Sequence, residues 1–209
     1  PSSTNNILTL NGTLRVMPSR LADRDDFDSD GTTDLAIYNE STGVWTIRSS
    51  ATGTASQFAC GGPGYLPVSG DFDGDGKADL AVYHQAAGSW LFLLSSSLYR
   101  TVRLDDFGGP GYASVSGDFD GDLKSDPALC NTNSGLWLVK LSGSAYATGS
   151  TTLGGAGCKP VSGDFDGDGK YDPAIYQPAT GLFAVQLSGS SYAAASAVLG
   201  RIAGPDEVE

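Results

Sequence analysis

A nine-residue acidic string occurs four times in this chain, and it constrains the fold more than any other feature. It reads DFDSDGTTD at Asp26–Asp34, DFDGDGKAD at Asp71–Asp79, DFDGDLKSD at Asp118–Asp126 and DFDGDGKYD at Asp164–Asp172. The leading Asp residues lie 45, 47 and 46 residues apart. Other positions keep the same phase: Tyr38, Tyr83, Cys130 and Tyr176; Gly43, Gly88, Gly135 and Gly181; Trp45, Trp90, Trp137 and Phe183. A second string precedes the later three: CGGPGY at Cys60–Tyr65, FGGPGY at Phe107–Tyr112 and LGGAGC at Leu153–Cys158. A fixed period of this length marks a repeat architecture whose units stack on one another.

Each unit reads as four short strands. In the second unit they fall near Pro67–Phe72, Leu80–His84, Trp90–Leu94 and Thr101–Leu104, separated by Gly- and Asp-rich turns. With 29 Gly in 209 residues and few helix formers, the chain is expected to be all-β. Four-stranded units of about 46 residues predict a β-propeller of four four-stranded blades. The Trp of each unit is expected to pack between blades. Residues 1–24 do not fill a unit, and Ile7–Val16 reads as an extra N-terminal strand with a turn at Asn11-Gly12. That strand either closes the ring or adds to the edge of a neighbouring molecule. The expected division is residues 1–24 as the spare-strand segment, 25–203 as the propeller and 204–209 as an acidic tail.

The string Asp-x-Asp-x-Asp-Gly-x-x-Asp has a chemical reason. Carboxylates at positions 1, 3, 5 and 9 converge when position 6 allows a sharp turn. The carbonyl at 7 and a water complete an all-oxygen shell, which suits Ca²⁺ better than Mg²⁺. The four strings hold 16 of the 24 acidic residues, so the formal charge of −12 is metal-site charge and not a general acidic surface. It leaves no basic patch for nucleic acid. No apolar run is long enough for a transmembrane helix. The third string has Leu123 at position 6, where a branched side chain resists positive φ, so its site is expected to be the weakest of about four Ca²⁺ sites.

FGGPG followed by GDFDGDLKSD, at Phe107–Asp126, resembles the FG-GAP/VCBS-type calcium-binding β-propeller repeat, found in integrin α-subunit heads and some lectins. The resemblance implies a metal loop joining the first two strands of each blade. It implies as ligands Asp26, Asp28, Asp30, Asp34 and the carbonyl of Thr32; Asp71, Asp73, Asp75, Asp79 and that of Lys77; Asp118, Asp120, Asp122, Asp126 and that of Lys124; and Asp164, Asp166, Asp168, Asp172 and that of Lys170. Related propellers often have seven blades. Four motifs therefore leave either a small ring or an arc completed by another molecule.

Cys130 and Cys158 replace, in one unit, both members of an expected Tyr–Tyr pair, which predicts a Cys130–Cys158 disulfide. Cys60 occupies an apolar slot and is expected to be a buried free thiol. A disulfide with weak calcium sites points to a secreted or surface-displayed, extracellular protein. Asn11 and Asn39 fit the N-glycosylation pattern.

No catalytic constellation emerges. The single His, His84, stands where other units have Asn39, Asn131 and Gln177, a variable polar position. The chain is expected not to be an enzyme. Three readings remain open: a calcium-stabilised structural or adhesive block that self-associates, a lectin or adhesin with a glycan or protein ligand, and an accessory domain of a secreted polysaccharide-degrading enzyme.

Overall fold

The computed structural model describes residues 25–104 and 106–199. The spare N-terminal strand with Asn11 and the acidic tail lie outside the described residues. The rest is all-β, with three single-turn 3-10 helices at Ser95–Ser97, Ser142–Ser144 and Ser188–Ser190.

Four antiparallel sheets follow one another along the chain. The first holds β1 (Leu35–Asn39), β2 (Val44–Arg48) and β3 (Ala55–Ala59). The second holds β4 (Tyr65–Gly70), β5 (Asp79–His84), β6 (Ser89–Leu94) and β7 (Arg100–Leu104). The third holds β8 (Tyr112–Gly117), β9 (Asp126–Asn131), β10 (Leu136–Leu141) and β11 (Ala147–Thr152). The fourth holds β12 (Lys159–Gly163), β13 (Asp172–Gln177), β14 (Leu182–Leu187) and β15 (Ala193–Val198). Strands pair strictly in chain order, as in propeller-like blades. The first sheet has three strands among the described residues.

The period-two alternation within strands gives each sheet two apolar faces, so the sheets bury them by stacking. The trailing face of the first sheet, with Tyr38, Trp45 and Ile47, packs on the leading face of the second, with Leu80, Val82 and Leu93. Tyr83, Trp90 and Phe92 then pack on Leu129. Cys130 and Trp137 pack on Ile175. The repeated Trp is thus core between sheets, as its phase predicts. Trp90 and Trp137 are completely buried. Phe183, their counterpart on the fourth sheet, is half-buried, because no described sheet follows.

Gly135 shows why each unit keeps a glycine before its third strand. Its φ is 74°. A Cβ there would lie 2.6 Å from the carbonyl oxygen of Gly154. The hairpin turn and the Gly-Gly string touch backbone to backbone, and Leu153 N–H donates to Gly135 O at 2.8 Å.

Trp90→Ala is expected to lower the unfolding free energy by about 3–5 kcal/mol. Phe183→Ala, at the same repeat position, should lower it by less than half of that. Urea denaturation of the two variants checks the difference.

Candidate metal centre

In the second, third and fourth sheets the acidic string forms the loop between the first two strands; in the first sheet it leads into β1. The loop between β4 and β5 shows how it is built. The carboxylate of Asp71 accepts the backbone N–H groups of Gly74 at 2.6 Å, Asp75 at 3.2 Å and Gly76 at 2.9 Å. This turns the chain sharply around position 1. Gly76 has φ 85°, in the left-handed region that glycine occupies without steric penalty.

Position 9 acts as a clamp. Asp79 accepts Phe72 N–H on Oδ2 at 2.8 Å and Ser95 N–H on Oδ1 at 2.7 Å. Asp34, Asp126 and Asp172 make the equivalent pairs, with Phe27 and Ser50, Phe119 and Ser142, and Phe165 and Ser188. All four of these carboxylates are buried. Burial, opposed by these hydrogen bonds, pushes Asp79 and Asp126 up to about 6. Desolvation also raises Asp71 and Asp118.

The hairpin between the last two strands of each sheet covers the loop. Ser95 Oγ donates to Asp75 at 2.9 Å and Ser96 Oγ to Asp73 at 2.6 Å. Ser50, Ser142 and Ser188 reach Asp30, Asp122 and Asp168 in the same way. The signal was present: a Ser stands 24 residues after each leading Asp. The sequence reading did not pick it out, because Ser is common and its partner is remote in the chain. Tyr99, Tyr146 and Tyr192 also recur in phase, with φ of 59°, 59° and 61°. Burial foremost, then nearby loop carboxylates, raises all three phenols.

Three carboxylates converge in each loop, with one oxygen from each lying within 4.8 Å of the others. They are Asp26, Asp28 and Asp34; Asp71, Asp73 and Asp79; Asp118, Asp120 and Asp122; and Asp164, Asp166 and Asp172. Asp30, Asp75, Asp168 and, in the third loop, Asp126 stand outside these groups. At the expected carbonyl-donor positions, the N–H groups of Thr32, Lys77, Lys124 and Lys170 bond to Asp30, Asp75, Asp122 and Asp168.

The third loop uses position 5 where the others use position 9. Its Leu123 takes the left-handed φ of 72° and leaves its side chain 80 % exposed. In the other loops the position-5 N–H bonds to the position-3 carboxylate, as Asp75 does to Asp73 at 3.2 Å. Asp120 Oδ1 instead is buried with no hydrogen-bond partner. A buried carboxylate oxygen without a partner is costly unless a cation meets it. The donor set is all oxygen and anionic, which fits a hard cation of the Ca²⁺ type.

The loops are also tied to one another. Ala78 N–H donates to Asp26 O at 2.8 Å, Ser125 to Asp71 O at 2.6 Å and Tyr171 to Asp118 O at 2.6 Å. Each of the later three loops thus hands a backbone bond to the loop before it.

The expected Cys130–Cys158 disulfide is not formed; all three cysteines are free thiols. Tyr38 and Tyr83 keep Tyr65 and Tyr112 as neighbours, but the pairing is not through their hydroxyls. Tyr38 and Tyr83 point their hydroxyls at the Gly-Gly string, accepting Gly62 and Gly109 N–H at 2.9 Å each. Cys130 fills a Tyr slot in an apolar cluster with Trp137, Ile175 and Cys158. Burial raises its thiol to about 11 and keeps it protonated. Cys60 is buried and raised to about 11 by the same cause. His84 lies edge-on to Tyr65, ring centroids 4.7 Å apart, and its Nδ1 accepts Ala87 N–H at 3.1 Å. Asn39 is exposed, and its Oδ1 accepts bonds from Ser41 and Thr42.

A succession of stacked antiparallel sheets, each with an acidic loop leading into its inner strands, is the arrangement of β-propeller-like blades. The FG-GAP-like repeat family model matches residues 26–82, and the acidic string of that span recurs in phase beyond it. No curated protein and no solved structure matches the chain.

With metal removed by chelator, the raised Asp79 and Asp126 make the folded form hold protons that the unfolded chain loses above about pH 4. Their stabilising contribution is therefore fully present below the unfolded value and lost as pH rises through about 6. The melting temperature in EDTA is expected to rise as pH falls from about 7 to about 5, and in saturating calcium to fall, because protons then compete with the cation. Thermal melts at matched ionic strength check both slopes. Alkylation of the unreduced, denatured chain should label all three cysteines, read by intact mass.

Proposed function

We propose that this chain is a non-catalytic, calcium-stabilised β-propeller module with a structural or adhesive role outside the cell. The observation that carries the reading is the same three-carboxylate convergence in four loops, one of which holds an unpartnered buried oxygen on Asp120. Two carboxylates about 4 Å apart repel by roughly 4 kcal/mol at an effective dielectric near 20. A divalent cation bound at each loop would reverse that repulsion and add ligand bonds across the first two strands.

The chain's own residues would do the rest. The position-9 Asp holds the loop ends together, the Ser of the covering hairpin orients the carboxylates, and the bond to the preceding loop transmits order between sheets. The module would then be rigid in millimolar calcium and loose without it, which suits an extracellular setting. Four bound sites at 100-fold excess over their Kd would each contribute about 2.7 kcal/mol.

The test is a melt in calcium and in EDTA, with Tb³⁺ luminescence excited through tyrosine. A large calcium-dependent rise in melting temperature is expected, with emission sensitised by Tyr99, Tyr146 and Tyr192. Asp73→Asn should remove one equivalent of bound cation. Identical melts in both buffers would sink the reading.

A second reading, a binding module for a glycan or protein ligand, draws on one cleft. It has a volume of about 240 Å³ and lies between the third and fourth sheets, lined by Phe119, Val139, Leu141, Thr151 and Tyr192. Specific retention on a glycan array, lost in Tyr192→Ala, would favour it.

A further inference from the structure

The two outward faces of the stack carry, at the same repeat positions, the two halves of the interface that joins its sheets. On the leading side, Leu80 and Val82 of the second sheet are completely buried, and Pro127, Leu129, Pro173 and Ile175 are buried in the third and fourth. Their counterparts on the first sheet are Leu35, 48 % exposed, and Ile37, half-buried. On the trailing side, the Phe after each leading Asp is buried at Phe27, Phe72 and Phe119, where it meets the following loop or sheet. Phe119 packs on Tyr171 of the next loop, ring centroids 6.0 Å apart. The fourth Phe, Phe165, is 46 % exposed, and it stacks edge-on only against Phe183 of its own sheet, at 5.2 Å. Leu199, which bonds to Gly181 O as the buried Cys60 and Phe107 bond to Gly43 O and Gly88 O, is exposed as well.

The difference between covered and uncovered positions is not one of residue type. The Phe is the same residue in all four units, and Leu35 repeats Leu80. What differs is the presence of a neighbouring sheet. Had the first sheet closed onto the fourth within this chain, Leu35 and Phe165 would be as buried as Leu80 and Phe119.

We propose that a second copy of this chain covers both faces, the leading face of each copy seating on the trailing face of the other. The joint repeats the interface already made three times within the chain, with Leu35 and Ile37 meeting Phe165 and Phe183. Two arcs of four sheets make eight, within the range over which propellers close. The pair has a twofold axis and leaves neither outward face uncovered. The proposal deepens the structural-module reading by naming its partner, and it does not depend on the spare N-terminal strand.

The test is mass by light scattering after size exclusion of the full chain in calcium. The expected value is twice 21.5 kDa. Leu35→Arg blocks every leading face and Phe165→Arg every trailing face, so each variant alone should run as one copy. An equimolar mixture retains one good joint between unlike chains and should return to the paired mass. Ile37→Glu and Leu199→Glu form a second such set, and circular dichroism establishes that each variant is folded. A wild-type mass of one copy overturns the proposal, as do single variants that stay paired or a mixture that stays single. Larger assemblies that disappear when residues 1–20 are deleted overturn it in favour of strand donation. The calcium-dependent melt is read on the same samples, so failure of pairing and failure of the calcium reading are told apart.

Discussion

The fold turns on one carboxylate in each unit, the Asp at the end of the acidic string. It sits at zero exposure in the second, third and fourth sheets, where a lone charge would be intolerable. It is tolerated because each oxygen accepts a backbone N–H, one from the start of the loop and one from the distant hairpin turn. Those two bonds close the loop and dock the hairpin over it. A neutral side chain of the same shape could not accept both bonds on equivalent oxygens. The charge therefore serves as a structural knot, and in the first, second and fourth units it also joins the three converging carboxylates.

From that knot the order spreads outward. The hairpin brings Ser95 and Ser96 onto Asp75 and Asp73, which fixes the orientation of the carboxylates. The loop then accepts a backbone bond from the loop that follows, so neighbouring sheets are joined by a polar contact at one end and by Trp and Tyr packing across the middle. A cation held at one loop would act on two sheets, its own and the next. The third loop shows how far the design bends. Leu123 accepts a backbone conformation that disfavours side chains, the convergent set shifts to position 5, and one oxygen of Asp120 loses its protein partner.

Much of this was legible beforehand. The four strings, their period, the strand order and the Trp between sheets all follow from local pattern, because strand alternation and turn chemistry act over a few residues. The cysteine pairing was misread for an instructive reason. Phase alone placed Cys130 and Cys158 in Tyr slots, but it could not show that the tyrosine hydroxyls are aimed at glycine amides and not at each other. The serine hairpins escaped notice because their partners lie about 20 residues away, a distance over which sequence shows recurrence without contact.

By itself, the sequence determined the repeat, the all-β class, the loop that gathers acid residues and the apolar faces that force the units to stack. These depend on residue type and spacing, which are local quantities. Tertiary structure decided which three carboxylates meet in each loop, which thiols stay unbonded, and which faces remain uncovered at the two ends of the stack. Those depend on the relative placement of whole sheets, set by packing between units, and identical residues such as Phe119 and Phe165 meet opposite fates there.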